Sequence, residues 1–251
     1  MIPASTSGTH GFMASKFWHI RRCSLFDHLD PSQWELLERG ARLKSFAARE
    51  CVYLPSDASR NVYFLHEGRI RLSSATPDGK LAILGFIEPG EVFGELALVD
   101  TGSRDERAES VTRSTVVMLS GESLADLMEK TASLTIRINR MMGLRRKRVE
   151  RRLRGMLFRS NRERLTMLLV DLVEQYGIDD PDGIRITIRL SHQDLASLIG
   201  ATRESVSYLL GDLQAEGIIR YGRQWIVVRD KCRLETETDQ PRTNKKLNGC
   251  E

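Results

Sequence analysis

Apolar positions along this chain change period more than once, and each change marks a boundary. Up to about residue 24 there is no period, and the Ser, Thr and Gly there predict a mobile arm. From Phe26 to Leu43, the residues Leu29, Trp34, Leu36 and Leu37 follow Pro31-Ser32. They predict a short helix with Asp30 or Ser32 near its cap. From about Lys44 to Leu119 the pattern becomes short β-type runs: Cys51 to Leu54, Val62 to Leu65, Arg69 to Leu72, Leu81 to Ile87, and Ser114 to Leu119. Gly68, Gly79, Gly85, Gly90 and Gly94 punctuate them, and Asp78-Gly79 marks a hairpin. Many short strands at this spacing predict a sandwich or barrel. The run Phe93 to Leu98 interrupts them as a helical piece. A helical turn starting at Gly94 would point free N–H groups outward, toward an anion, with Glu95 beside them; a Gly-rich connection between strands is the plainer reading.

Helical spacing takes over from Gly121. A short helix is predicted over Ser123 to Met128 and a long one from about Ala132 to Leu157. Ile138, Met142, Val149, Leu153 and Met156 form a stripe on the long helix, interrupted by Arg145 and Arg152 and weakened by Gly143. Such a stripe packs on its own domain or pairs with its twin in a dimer. Another helix covers Arg162 to Tyr176, a turn-rich break follows at Asp179 to Gly183, and Arg185 to Leu190 alternates as a strand.

The stretch Leu190 to Leu213 reads as two short helices around a tight turn. Ser191 caps the first, whose apolar face is Leu195, Ala196, Leu198 and Ile199. Gly200 supplies the turn, and Thr202 caps the second helix. Val206, Leu209, Leu210 and Leu213 dock that helix, leaving Arg203, Glu204, Ser207 and Tyr208 outside. In a helix-turn-helix this outer side meets base edges in the major groove. Glu216 to Val228 then predicts two strands around Gly222-Arg223, a wing. After Asp230 the chain is polar and predicted disordered.

Charge sharpens this picture. The net charge of +4 is mild, but between Arg137 and Arg164 twelve Lys or Arg face two Glu. That excess suits phosphates or a solvated helix face equally. No apolar run is long enough to span a membrane, and Met1 to Ser15 lacks a signal-peptide core, so a cytoplasmic protein is expected. Cys23, Cys51, Cys232 and Cys250 are scattered, with no metal-ligand spacing. No catalytic constellation stands out, and an enzyme is not expected.

Two motifs carry a resemblance. Gly68-Arg69 followed by Pro89 to Leu98 (PGEVFGELAL) is similar to a cyclic-nucleotide-type β-roll, and Ala201 to Ser207 (ATRESVS) is similar to a recognition helix. In this order, with a long helix between them, they resemble the Crp/Fnr family of bacterial transcription regulators over roughly residues 24 to 230. The resemblance implies an α+β chain. Its parts would be an arm (1–24), a double-stranded, jelly-roll-like β-roll sensor (25–130), a long dimerisation helix (131–158), a winged helix-turn-helix domain (159–230) and a disordered tail (231–251). It implies a homodimer on palindromic sites in double-stranded DNA that touches RNA polymerase.

Carried onto these residues, Arg203 would donate to guanine, Glu204 would accept from cytosine, Ser207 would make a further base or methyl contact, and Thr202 would hold a phosphate. Ser191, Gln193 and Arg223 complete the expected DNA contacts, with Arg159, Arg162 and Arg164 also positioning phosphates. Tyr208 departs from relatives that carry Arg there, so one base position should differ. The implied effector site comprises Gly94, Glu95, Leu96, Arg104, Arg107 and Ala108. Asp105, Glu106 and Glu109 surround its arginines, and Val149 and Glu150 stand where cyclic-AMP binders carry hydroxyl residues. A cyclic nucleotide, another small effector, or no small-molecule effector at all therefore stay as alternatives, cyclic AMP being disfavoured. The competing reading is a small-molecule or nucleotide-binding protein whose C-terminal domain binds a protein partner instead of DNA.

Overall fold

The computed structural model describes residues 25–58, 60–75, 81–98 and 104–239. The predicted arm, the Asp78-Gly79 hairpin turn, Gly102-Ser103 and the end of the tail lie outside them. The chain forms two compact units. One comprises Met1–Ile70, Ile87–Arg104 and Ala108–Met141, and the other Arg71–Phe86, Asp105–Arg107 and Met142–Glu251.

The first unit opens with α1 (Pro31–Gly40). The Asp30 carboxylate accepts from the Gln33 N–H at 2.9 Å, and the Gln33 side chain accepts from the Asp30 N–H at 3.0 Å. The helix ends before the expected Leu43 because the chain turns extended at Ala41 and enters β1 (Arg42–Phe46). Pairing with β8 (Ser114–Ser120) satisfies that backbone and buries Phe46. With β3 (Asn61–Glu67) and β6 (Val92–Phe93) these strands form a sheet of order β1-β8-β3-β6.

A second sheet has the order β2-β7-β4-β5, with β2 (Cys51–Tyr53), β4 (Ile70–Ala75), β5 (Leu81–Ile87) and β7 (Arg107–Ser110). Tyr53 packs on Tyr63 and Phe93 of the first sheet, with ring centroids 5.5 and 6.1 Å away. At Gly68 (φ +95°) a Cβ would strike the Ser114 hydroxyl and the Arg113 carbonyl, so this turn requires glycine. Next come α2 (Gly121–Lys130) and α3 (Ala132–Phe158), whose N-terminal part buries Leu134 and Ile138.

In the second unit, α4 (Asn161–Tyr176) starts on a Ser160–Glu163 capping box. The break predicted at Asp179 to Gly183 is a tight connection between β9 (Gly177–Asp180) and β10 (Gly183–Ile186). These pair in a sheet of order β11-β12-β10-β9 with the wing strands β11 (Ile219–Gly222) and β12 (Trp225–Val228). Around them, α4, α5 (His192–Ile199) and α6 (Arg203–Ala215) bury one apolar cluster that includes Leu165, Leu169, Leu195, Val206, Leu210 and Leu213. Ile83 of β5 joins the same cluster. Arg71 of β4 pairs with Asp194 at 3.2 Å, and Arg152 donates to the Leu84 carbonyl at 2.8 Å.

The disorder predicted after Asp230 does not hold for Lys231–Asp239, which form a helix, α7. A lone Leu234 in a polar run gives no period, yet it is fully buried in the cluster. Leu234→Ala should therefore cost about 2–5 kcal/mol in urea unfolding. A change within a few tenths of a kcal/mol would show that α7 contributes no packing.

Candidate functional site

Ser191 starts α5. Its Oγ accepts from the Asp194 N–H at 3.1 Å, and the Asp194 carboxylate accepts from the Ser191 N–H at 2.9 Å and from its hydroxyl at 2.6 Å. Gly200 ends α5 in the left-handed region (φ 65°, ψ 43°). A Cβ there would have ordinary room, so the dihedral, not space, favours glycine. Thr202 begins α6 and accepts from the Ser205 N–H at 3.2 Å. These caps set two helices at a fixed turn, as the sequence predicts.

Docking decides what α6 leaves outside. Val206, Leu210 and Leu213 are fully buried, while Arg203 and Glu204 are exposed and Tyr208 is 70% exposed. Gln193 is exposed on α5. Ser207 is half-buried and more engaged than expected. Its hydroxyl donates to the Arg203 carbonyl at 2.9 Å and lies 2.7 Å from His192 Nδ1. The His192 ring is tilted against Tyr221 of the wing, centroids 5.7 Å apart. His192 is not among the predicted contacts, since fifteen residues separate it from Ser207 and no local spacing joins them. At the wing tip Gln224 takes φ 62°, and the neighbouring Arg223 is exposed.

The basic run resolves into separate tasks. Arg164 donates to the Ile199 carbonyl at 2.7 Å and to Asn161 Oδ1 at 2.6 Å, capping the C-terminal end of α5. Arg162 pairs with Glu216 at 2.7 Å. The sequence expectation places both against phosphates; both are instead held by the protein's own acceptors. Arg151 pairs with Asp171 at 2.5 Å. Burial nevertheless raises the Asp171 carboxyl above its usual value, outweighing Arg151, and burial also lowers the Arg152 guanidinium.

The expected effector residues follow β6, an edge strand of the first sheet, and lie on and before β7, an interior strand of the second. Gly94 has φ 70°, and the helical piece after it is one 3-10 turn, Glu95–Leu98, too short to present a helix N-terminus. Glu95 is half-buried, Leu96 exposed, Ala108 fully buried, and Arg107 half-buried on β7. Arg104 is not poised for an incoming anion. Its guanidinium lies 4.1 Å from the Tyr53 ring centroid, donates to the Asn61 carbonyl, and would be 2.7 Å from a Cβ at Gly94. Its Nε is buried with no hydrogen-bond partner. Arg104 thus fills the hollow that Gly94 leaves.

Among the described residues no group of His, Cys, Asp and Glu could hold a metal ion, and no helix is long and apolar enough to cross a membrane. A Crp-like helix-turn-helix domain model matches residues 163–237, and a cyclic nucleotide-binding domain model matches residues 43–131. The chain is 24% identical over 215 residues to the CRP-like cAMP-activated global transcriptional regulator of Mycobacterium tuberculosis, covering 86% of this chain and 96% of that protein. It is 31% identical over 201 residues to the global nitrogen regulator of Synechococcus elongatus, covering 79% and 86%. The crystal structure of a CRP-family transcriptional regulator from Thermus thermophilus is similar at TM-score 0.67 and 30% identity, covering 78% of this chain and 97% of that one.

Arg104→Ala would remove the ring contacts and strand the Asn61 carbonyl. A loss of about 2–4 kcal/mol in the stability of the first unit is expected, read from the tyrosine near-ultraviolet signal on unfolding. An unchanged transition would mean that Arg104 is not a structural filler.

Proposed function

This chain belongs to the Crp/Fnr family of DNA-binding transcription regulators, and on that premise we propose that it acts as a homodimer on two-fold symmetric DNA, with one α6 in each of two successive major grooves. The observation that carries this reading is the split of α6, with Val206, Leu210 and Leu213 buried and Arg203, Glu204 and Tyr208 outside. Arg203 donates to guanine O6 and N7, and Glu204 accepts from the cytosine amino group. Tyr208 cannot make a bidentate guanine contact, so one position of each half-site follows a different rule. Ser191, Gln193 and Thr202 lie beside the two helix starts, where phosphates approach, and Arg223 reaches the backbone from the wing. RNA polymerase contact is part of the proposal on family grounds.

The dimer seam is the second half of α3. Val149, Leu153, Met156, Leu157 and Phe158 are all exposed, with Phe158 at 71%. An apolar face of that kind on a helix is suited to pairing with its twin.

The β-roll serves as a sensor that does not take cyclic AMP. Arg104, one of two arginines that could grip a cyclic phosphate, is committed to Tyr53 and Asn61. Relatives of similar sequence are named for different signals, cyclic AMP in one and nitrogen in another, so the β-roll alone does not fix the ligand.

Selection from random duplex with purified protein should yield a two-fold symmetric site. Arg203→Ala should relax one base position by about 1–3 kcal/mol of discrimination. Arg223→Ala should instead weaken all sequences evenly and reduce the salt slope by about one. An even loss with Arg203→Ala would remove it as a base reader. Leu153→Asp with Leu157→Asp should sediment as a monomer; a dimer retained by that variant would place the interface elsewhere.

A further inference from the structure

We propose that His192 is a positioning residue that decides which base groups Ser207 can read, by anchoring Ser207 Oγ in the rotamer whose hydrogen bonds the Arg203 carbonyl. The proposal rests on the DNA reading of α6 and adds a specificity rule to it.

Ser207 Oγ lies 2.9 Å from the Arg203 carbonyl oxygen and 2.7 Å from His192 Nδ1. A hydroxyl has one hydrogen, and a carbonyl only accepts. The Ser207 hydrogen is therefore spent on Arg203, a bond back along the helix of a kind serine commonly makes. The 2.7 Å contact is then a hydrogen bond only if His192 brings the proton. His192 thus carries Nδ1–H, in either the neutral or the charged ring, and its neutral form leaves Nε2 as the acceptor. The ring is held in place at the first position of α5, behind the Ser191–Asp194 cap, and against Tyr221.

One lone pair on Ser207 accepts from His192 and one remains. Toward the major groove Ser207 is then an acceptor with nothing to donate. It suits the amino group of adenine or cytosine and does not satisfy guanine N7 and O6 or thymine O4. An unrestrained serine reads either kind of edge. His192 converts an ambiguous residue into a selective one without touching the base.

Two measurements test this. The first needs no DNA: nitrogen-15 correlation spectra of the His192 ring in the full-length protein should show the Nδ1–H form, and an Nε2–H tautomer would overturn the proposal. The second is duplex selection with four proteins. Ser207→Ala identifies the half-site position that Ser207 reads, as the one where preference disappears. The wild type should prefer adenine or cytosine as its partner there. His192→Asn, whose amide can donate from near the Nδ1 position, should keep that preference. His192→Leu should admit guanine or thymine, shifting the ratio on the order of tenfold. If His192→Leu only weakens all sites evenly, His192 is structural and the proposal fails. If the wild type selects no site at all, it is the DNA reading of α6 that fails, a result distinct from the others.

Discussion

The apolar seam between α5 and α6 is the constraint on which the rest of the C-terminal unit depends. Leu195, Ala196, Val206, Leu210 and Leu213 are all essentially inaccessible to solvent. Burial at this level is worth about 1.5–3 kcal/mol for each large side chain, so the roll of α6 about its own axis is not negotiable. Once that roll is fixed, Arg203, Glu204 and Tyr208 have nowhere to go but outward. The left-handed Gly200 and the caps at Ser191 and Thr202 fix where each helix starts, and hence where each polar side chain stands along α6. The polar outer face of α6 is a by-product of packing.

Charge in this chain is informative only after its partners are known. The dense basic run suggests a phosphate-facing surface, yet Arg162 and Arg164 are held by Glu216 and by the carboxyl end of α5. Arg104 shows the same principle in the β-roll: a buried guanidinium needs acceptors and aromatic faces, and it takes those nearest. Arginines already satisfied inside the protein give a ligand less to gain. The exposed Arg203 and Arg223 are the better candidates for DNA because the surrounding structure asks nothing of them that is comparable.

Most of the architecture was legible in the sequence because it rests on local signals. The α5–α6 turn was visible from Ser191, Gly200 and Thr202, whose roles are set within three or four residues. The strands β2 to β5 and β8 were visible from β-type runs bounded by turn residues, whereas the short β6 and β7 were not. What escaped were features whose partners are distant. The strand β1 depends on pairing with β8, far along the chain. The helix α7 packs through Leu234, whose partners lie on other elements. The contact of His192 with Ser207 crosses the whole helix-turn-helix. Of the site itself, the outer residues of α6 were readable from period, whereas the occupation of Arg104 and Arg164 was not, because nothing in a one-dimensional pattern shows that a charge has already been spent.

The measurement that tests the central claim most directly is guanine methylation interference on a selected duplex bound by the wild-type protein. The account predicts two patches of major-groove interference, related by two-fold symmetry and centred about one helical turn apart on one face of the DNA. A single patch, or no guanine interference on a duplex that the protein binds, would contradict the placement of two α6 helices in successive major grooves.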